Sequence, residues 1–280
     1  MLATAADKIK AINSALAKPF LATAEMFKLQ GRDLASPEST SRFTATFTRS
    51  RREIVKAQRL RYRVFSEEYG ATINSPFGLD RDRFDKHCLH LIVRDNESGE
   101  VVGYTRILPQ EKILRTGGFY SAEEFELTML SSLQGRVAEL GRTCIHPEYR
   151  NGAVITVMWS RVAQYMVQEN IQYLIGCASV ALSEGYDVSA IVERIRQQHL
   201  TPADRRVIPK LPLNDLQAVD DAGSAVRMPP LLKAYLRMGS QVCGEPCWDP
   251  DFNCLDFFIL MSLDNLPRRY VQHFLQPVAV

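Results

Sequence analysis

Three arginines and three carboxylates are interleaved along the chain in an order that could form one ion-pair network. In sequence order they are Arg61, Asp82, Asp85, Arg106, Glu139 and Arg142. Such a network can satisfy charges that are costly to bury singly, and it can hold a carboxylate ready for an ammonium substrate. A purely structural ion-pair network is the alternative interpretation. Because perturbed charge clusters concentrate in clefts, we favour a functional site.

Arg61 has an unusual position for a charged residue. Residues 51–69 have the periodicity of an amphipathic helix, and Arg61 falls at the centre of its apolar face. That face also carries Ile54, Ala57, Val64 and Phe65, and the opposite face carries Arg52, Lys56, Arg59 and Arg63. A buried guanidinium is costly unless carboxylates or a bound anion satisfy it. The spacing therefore predicts that Arg61 meets the downstream carboxylates.

Glu139 and Arg142 belong to a predicted strand, residues 136–145. They are three positions apart, so a regular strand would place them on opposite faces. Gly141, between them, is a natural position for a bulge. A bulge would turn both side chains toward one cleft and would separate this strand from its neighbour, residues 171–179.

The turn at residues 149–153 (YRNGA) precedes a long predicted helix. Gly152 allows the backbone to approach a ligand closely, and the helix N-terminus offers unpaired N–H groups to a phosphate. Any strand-to-helix turn can contain a glycine. The pattern gains weight here because a Glu-x-x-Arg strand comes just before it.

The composition is that of a globular protein. The chain has 280 residues, 46% of them hydrophobic, which fits one large domain or two small ones. A net charge of +2 does not indicate nucleic acid binding. No apolar run is long enough to span a bilayer, and no secretory signal pattern opens the chain. We expect a protein of the reducing cytoplasm, without a disulfide framework.

Two groups of residues contain side-chain types that can bind a metal. Cys243, Cys247 and Cys254 have wider spacing than structural zinc sites usually show, and a fourth ligand is missing nearby. His87, Cys88 and His90 would not all lie on one face of a strand. Buried thiols and a strand-edge histidine are the preferred interpretation, so no metal is expected.

From residue 43 onward the chain alternates between strand and helix patterns. The predicted strands are 43–48, 88–95, 101–109, 136–145, 171–179 and 253–263, and the predicted helices are 51–69, 117–127, 153–170, 187–200 and 229–239. Strands 136–145 and 171–179 should run parallel, joined by a right-handed crossover. The prediction is an α/β domain over residues 43–280 with a mixed central sheet and flanking helices.

Residues 1–42 are predicted to be an extension of that domain. Ile9, Ile12, Leu16 and Phe20 recur at helical spacing with lysines around them, which fits a basic amphipathic helix on an anionic lipid surface. Packing against the chain's own domain or a partner subunit explains the pattern equally well. Residues 36–41 (SPESTS) have linker composition.

Four segments occur in a known order: LRYRVFSEEYGA (60–71), DRFD (82–85), VVGYTRILP (101–109) and AELGRTCIHPEYRNG (138–152). In these segments the chain resembles the GNAT acyltransferase superfamily. More narrowly, it resembles the branch that takes acyl groups from acyl carrier protein, the acyl-homoserine-lactone synthases and ornithine-lipid N-acyltransferases. The resemblance covers residues 43–265 approximately, and it implies a GNAT-like fold with a splayed parallel strand pair.

The lactone synthases have a functional cluster that maps onto the interleaved charges. By resemblance, the substrate-binding residues would be Arg61, Phe65, Asp82, Asp85 and Arg106, followed by the Glu-x-x-Arg pair Glu139 and Arg142. One departure is Ala71, where the lactone synthases have a tryptophan. The segments GFYSAEEFEL, YLIGCAS and PPLLKAYLRMGSQV are similar instead to the ornithine-lipid branch.

The resemblance also implies how the donor binds. In this superfamily the splayed strands admit the pantetheine arm, and a backbone N–H near Thr143, Cys144 or Ile145 polarises the thioester carbonyl. Together with Glu139 and Arg142, Thr143 and Cys144 complete the expected catalytic set. The expected phosphopantetheine-binding residues are Ile145, Arg150, Asn151, Gly152 and Ala153. The acyl thioester is a substrate, and no further cofactor is expected.

The predicted function is transfer of a 3-hydroxyacyl chain from acyl carrier protein to the α-amine of ornithine, giving lyso-ornithine lipid. Glu139 is the expected base or amine-positioning carboxylate, and Asp82 and Asp85 would bind ammonium or orient the arginines. Expected partners are acyl carrier protein and a small amino acid, without nucleic acid, and membrane contact is one interpretation of residues 1–42. The alternatives are a different acceptor, including a lactone precursor, and a non-catalytic module that binds acyl carrier or lipid.

Overall fold

The computed structural model describes residues 38–39, 42–68, 70–75, 77–213 and 226–267. Most of the predicted extension, including its helical pattern around residues 9–20, lies outside the described residues. Glu38–Ser39 is a short strand (β1) that pairs with the first strand of the predicted domain. Part of the segment with linker composition therefore forms a sheet edge.

The described strands form one large mixed sheet and one small separate pair. After β1 they are β2 (Phe43–Thr48), β3 (Leu89–Asp95), β4 (Val101–Pro109), β5 (Phe125–Glu126), β6 (Arg136–Ile145), β7 (Ile171–Ala181), β8 (Ile208–Pro209), β9 (Gln241–Val242), β10 (Cys247–Asp249) and β11 (Cys254–Ser262). The large sheet has the order β1-β2-β3-β4-β6-β7-β11-β10, with β9 also on β11, whereas β5 pairs with β8. The long strands match their predicted positions closely.

The described helices are α1 (Arg51–Tyr62), α2 (Ile113–Thr116), α3 (Ala153–Gln168), α4 (Val188–Gln198) and α5 (Pro230–Arg237). α1 continues into a wider π-helical turn over Arg63–Glu68. The predicted helix 117–127 is wrong: this segment forms a 3-10 turn at Tyr120–Glu123 and then β5. No helix in the described ranges combines the length and apolar character needed to cross a membrane.

Side chains alternate between the two faces of the sheet along each strand, and helices cover both faces. On β3, Leu91 and Val93 pack in the core that contains α3, whereas Ile92 packs with α1. Tyr104 of β4 also lies on the α1 face. Arg106, two residues further along β4, is therefore directed to the same side as Arg61.

β6 and β7 form the parallel pair that was predicted, and they separate partway along their length. Their pairing runs from Arg136 and Ile171 to Glu139 and Ile175, and β6 then continues to Ile145 without β7. Gly176 marks the last close approach, because a β-carbon there would overlap the Leu140 carbonyl oxygen. Beyond this point the two strands leave a gap between them.

A bulge interrupts the pairing of β6 with β4. Arg106 pairs with Gly141 and Tyr104 with Cys144, so two residues of β6 lie opposite the single residue Thr105. Within the bulge the left-handed residue is Arg142, with φ 54°, and not Gly141. The predicted bulge is present, and it is Arg142 itself that takes the conformation usually given to glycine.

Candidate active site

Arg61 is fully buried (0% exposed) and is held by two carboxylates. Its Nε donates to Asp80 Oδ2 at 2.8 Å, and its Nη1 donates to Asp85 Oδ1 at 2.8 Å. The guanidinium carbon also lies 5.4 Å from the centre of the Tyr104 ring. The expectation that a buried Arg61 meets downstream carboxylates is confirmed, and Asp80 is a partner that the sequence analysis did not single out.

Two further arginines complete the cluster. Arg106 Nη1 donates at 2.6 Å to both Asp82 Oδ1 and Asp85 Oδ1. Arg142 lies 3.3 Å from Asp80 through Nε and 3.4 Å from Asp82 through Nη2. Three arginines and three aspartates thus balance one another in formal charge, as a buried cluster requires.

Two aspartates of this cluster, Asp82 and Asp85, have lowered pKa values. Burial opposes the charged form of Asp85, but the adjacent Arg61 and Arg106 guanidinium groups lower its pKa to about 2. Burial also opposes ionisation of Asp82, and the bond from Arg106 lowers its pKa overall. Gln58, buried on α1, donates to Asp85 Oδ2 at 3.1 Å. Because Asp82 and Asp85 are each held by arginines, the geometry fits orientation of the arginines better than capture of an ammonium.

Arg142 is clamped between two aromatic rings. Its guanidinium carbon lies 4.6 Å from the ring centres of both Tyr120 and Phe252. Phe252 in turn packs edge-on against Phe65, with ring centres 5.8 Å apart. This stacking adds to the ion pairs and fixes the orientation of the planar guanidinium.

Glu139 lies beside the cluster and forms no ion pair with a Lys or Arg of the described residues. Its Oε1 accepts the Ser121 N–H at 2.7 Å and the Ser121 Oγ–H at 2.5 Å, and its Oε2 accepts the Tyr120 N–H at 2.6 Å. Burial raises the pKa of Glu139, although these bonds partly counter it. Glu139 therefore anchors the 120–121 turn and stays protonated to higher pH than an ordinary glutamate.

A cavity of about 470 Å³ opens where β6 and β7 separate. Its lining includes Arg106, Glu139 and Arg142 as well as Phe65. The cluster residues Arg61, Asp82 and Asp85 lie behind this wall, in contact with Arg106 and Arg142. Only Arg106, Glu139 and Arg142 of the six predicted residues line the cavity, whereas Arg61, Asp82 and Asp85 support this wall from behind.

The expected donor-binding residues follow β6 to the mouth of the same cavity. Thr143, Cys144, Ile145, Arg150 and Gly152 line it. Thr143 Oγ1 lies 2.8 Å from Thr105 Oγ1, and the Cys144 side chain is buried against α1. Gly152 has φ 95° and precedes α3, and the Ala153 N–H donates to Asn151 Oδ1 at 3.1 Å. One N–H of this helix end is therefore already occupied.

A basic surface joins α1 to this mouth. Arg52, Arg59 and Arg63 are exposed, and Lys56 pairs with Glu53 at 3.8 Å. Arg63 Nη1 lies 3.2 Å from His146 Nε2, and Arg150 Nε donates to the Ile145 carbonyl at 3.1 Å. The predicted solvated face of α1 thus ends next to the cavity entrance.

The comparisons with known proteins agree with this geometry. Residues 60–160 match the family described as acetyltransferase (GNAT) domain. An L-ornithine N(alpha)-acyltransferase of Brucella abortus is 33% identical over 254 residues, which cover 80% of this chain and 86% of the relative. The enzyme of the same description from Rhodobacter capsulatus is 33% identical over 245 residues, covering 82% and 93%. The chain belongs to this family of acyltransferases.

Two solved structures also align with most of this acyltransferase. FeeM, an N-acyl amino acid synthase from uncultured soil microbes, has a TM-score of 0.49 and 13% identity, covering 81% of this chain and 92% of that one. The acyl-homoserine-lactone synthase LasI has a TM-score of 0.48 and 15% identity, covering 80% and 91%.

Several residues of this acyltransferase site were not singled out by the sequence analysis. Asp80 begins the acidic segment DRDRFD, yet only the Asp-x-x-Asp pair within that segment has a recognised spacing. Tyr120 and Ser121 lie in a segment predicted as helix, so their backbone N–H groups were not expected to bind Glu139. Three more carboxylates, Glu124, Asp249 and Asp256, also line the cavity. Their sequence positions offer no common motif.

Proposed function

We propose that this acyltransferase transfers a 3-hydroxyacyl chain from the phosphopantetheine thioester of acyl carrier protein to the α-amine of ornithine, forming lyso-ornithine lipid. The observation that carries the proposal is the end of β6–β7 pairing at Glu139, followed by a cavity with arginines and carboxylates on its wall. The acceptor is proposed from the relatives, which are described as L-ornithine N(alpha)-acyltransferases.

The gap between the strands suits the donor. Past Glu139 the edge of β6 that faces β7 has no strand partner in the described residues, so its polar backbone groups are available to the pantetheine amides. Backbone N–H groups between Thr143 and Ile145 would stabilise the oxyanion of the thioester carbonyl. Apolar lining residues, among them Val64, Leu108, Leu140, Ile155 and Leu231, offer a surface for the acyl chain.

The arginine cluster suits the carboxylate of an amino-acid acceptor. Arg106 and Arg142 line the cavity, and Nη2 of Arg106 has no hydrogen-bond acceptor among the described residues. Guanidinium groups fixed by stacking and ion pairs bind carboxylates with little loss of entropy. Held there, an amino acid would direct its α-amine toward Glu139 on the neighbouring part of β6.

The chemical step then needs no acyl-enzyme. The neutral α-amine attacks the thioester carbonyl carbon, the C–N bond forms, and the C–S bond breaks as the pantetheine thiolate leaves. The amine loses one proton and the thiolate gains one, so no redox partner is needed. Glu139 accepts three hydrogen bonds and keeps acceptor capacity for one more donor, which supports its role as base or amine-positioning carboxylate.

The basic surface beside the entrance supports docking of an acidic carrier protein. Arg59 and Arg63 present exposed charge on α1, and Arg150 lies at the cavity mouth. Electrostatic steering of this kind weakens with salt, because the screening length is about 8 Å at 0.15 M. We expect the carrier protein to be a better donor than free acyl-CoA at low ionic strength.

A charge-reversal pair tests the donor. Arg59→Glu with Arg63→Glu should raise the apparent KM for 3-hydroxyacyl carrier protein and leave the KM for the matching acyl-CoA unchanged. The control is Lys112→Glu with Arg115→Glu, which changes the net charge equally at exposed positions outside the cavity lining. Carrier-protein kinetics that are unaffected by the first pair, or a preference for short-chain acyl-CoA, contradict carrier docking.

A further inference from the structure

A second group of carboxylates lines the same cavity. Glu124 precedes β5, Asp249 ends β10 and Asp256 lies on β11. All three are buried and all three line the cavity. None forms an ion pair with a Lys or Arg of the described residues, and the nearby Lys210 Nζ donates instead to the Ala122 carbonyl.

Glu124 is the least satisfied member of this acidic group. Its side chain is only 8% exposed, and neither carboxylate oxygen accepts a hydrogen bond from the described residues. A buried carboxylate without donors is costly. Burial and the neighbouring Asp256 raise the pKa of Glu124 well above its ordinary range, with the Cys177 thiol also close by. A cation bound beside Glu124 would stabilise its ionised form.

Asp256 and Asp249 are partly satisfied, but by neutral donors. Ser179 Oγ donates to Asp256 Oδ1 at 2.5 Å, and Cys254 Sγ lies 3.6 Å from Asp256 Oδ2. Asp249 Oδ1 accepts the N–H groups of residues 251 and 252. These hydroxyl, thiol and amide donors carry no positive charge, so a cation could still enter the group as a counter-charge.

The acidic group adjoins the place where the amine would react. Ser121 Oγ, which donates to Glu139, lies 3.4 Å from Cys177 Sγ, and Cys177 lies beside Glu124. Cys177 and Ser179 share one face of β7, two positions apart. A short polar path therefore leads from Glu139 to Glu124 and Asp256, along the same cavity wall.

We propose that Glu124, Asp249 and Asp256 form the subsite for the side-chain ammonium of the acceptor amino acid. The inference rests on the proposed function and adds the source of its specificity. The carboxylate would bind at Arg106 and Arg142, the α-amine would face Glu139, and the second ammonium would enter the acidic group. A neutral amino acid of the same length would leave Glu124 buried without a partner, so the site selects dibasic acceptors.

The test compares ornithine with norvaline, which has the same carbon chain without the terminal amine. The wild-type enzyme should prefer ornithine in kcat/KM, and Glu124→Gln should reduce that preference about tenfold or more, chiefly through a higher KM for ornithine. Asp256→Asn should act in the same direction and serves if Glu124→Gln does not fold. Glu123→Gln, at an exposed neighbour paired with Arg83, should keep the wild-type preference.

The possible results separate this inference from the proposed function. A wild-type enzyme that acylates no amino acid contradicts the proposed function. A wild-type enzyme that accepts ornithine and norvaline equally, or variants that keep the full preference for ornithine, contradict the subsite alone. Loss of ornithine turnover on chelation, with recovery on adding Zn²⁺, would assign Asp249, Cys254 and Asp256 to a metal and overturn the subsite.

Discussion

Arg142 has an uncommon backbone conformation, and its side chain is held on several sides by rings and carboxylates. A non-glycine residue at φ 54° is disfavoured, and such strain persists only where the surroundings over-determine it. Here the surroundings are the rings of Tyr120 and Phe252 and the carboxylates Asp80 and Asp82. The conformation is what brings a side chain three positions after Glu139 to the same cavity.

Arg142→Lys tests whether this planar environment matters for substrate binding. Lysine keeps the charge but cannot stack between two rings while it contacts two carboxylates. We expect kcat/KM for the amino-acid acceptor to fall about tenfold or more, with a small change in melting temperature. Steady-state kinetics with acceptor varied at saturating donor would show this, and unchanged kinetics would reduce Arg142 to a structural role.

Glu139→Gln tests whether Glu139 acts as a base. The substitution preserves shape, keeps one acceptor oxygen and removes the negative charge. We expect most turnover to be lost while the fold survives. Because burial raises the pKa of Glu139, the wild-type kcat/KM should increase with pH through a group that titrates above the ordinary range of glutamate.

The pH profile distinguishes a base from a scaffold. In Glu139→Gln, the rise of kcat/KM with pH that is due to Glu139 should be absent. The pH dependence of the remaining activity should follow the ionisation of the acceptor's α-amine alone. A variant with reduced kcat and the wild-type pH profile would instead mean that Glu139 only anchors Tyr120 and Ser121.

Among the secondary-structure elements, the separation of β6 from β7 matters most for the proposed function. Gly176 permits the last close contact with the Leu140 carbonyl, and the strands diverge beyond it. Gly141 has a different status, since a β-carbon there would meet only Arg106 Nε at 3.7 Å, an ordinary contact. Substituting alanine at these two glycines should therefore affect protein stability very differently.

Gly176→Ala should destabilise the protein by about 1–3 kcal/mol, because backbone must move to relieve the overlap. Gly141→Ala should leave the free energy of unfolding within about 0.5 kcal/mol of wild type. Denaturant melts of both variants measure this. Equal stability of the two variants would contradict the close approach of Gly176 to the Leu140 carbonyl.

The elements were predictable to different degrees. The long strands and α3 follow clear periodicity, so their positions agree with prediction to within a few residues. The helix predicted at 117–127 failed because Phe119, Phe125 and Leu127 pack into a local cluster with Phe258 in a non-helical path. Apolar spacing alone does not distinguish such a folded loop from a short helix.

The site could be predicted from the sequence where a residue did not fit the pattern of its own helix or strand. Arg61 on an apolar helix face predicted its own carboxylates, and the Glu-x-x-Arg spacing predicted a bulge. The acidic group of Glu124, Asp249 and Asp256 could not be predicted in this way. The pairing of β10 with β11 brings Asp249 and Asp256 together, whereas Glu124, more than 100 positions earlier in the chain, reaches them only through the tertiary fold.

At the scale of the whole molecule, the acidic group should make stability depend on pH. Burial, with Asp249 nearby, raises the pKa of Asp256 to about 6. In the unfolded chain an aspartate titrates near its ordinary value of about 3.9. The folded state therefore holds this proton more tightly, and stability falls as pH rises from about 4 through 6.

Asp256→Asn should remove most of that dependence. The variant should be more stable than wild type at pH 7.5, by about 1–3 kcal/mol, with a difference that shrinks toward pH 4.5. Thermal melts of the ligand-free proteins across this range measure the difference. A constant difference, or one that grows toward low pH, contradicts an uncompensated buried charge at Asp256.

The central claim is direct amide formation at an α-amine held between the arginine cluster and Glu139. The most direct measurement is a reaction of the purified protein with 3-hydroxyacyl carrier protein and ornithine, followed by tandem mass spectrometry of the product and intact mass of the enzyme. We predict one acyl group on the α-nitrogen, free carrier-protein thiol in equal amount, and no acylated enzyme. Acylation of the side-chain nitrogen, an acyl-enzyme, or no amide product would contradict the account.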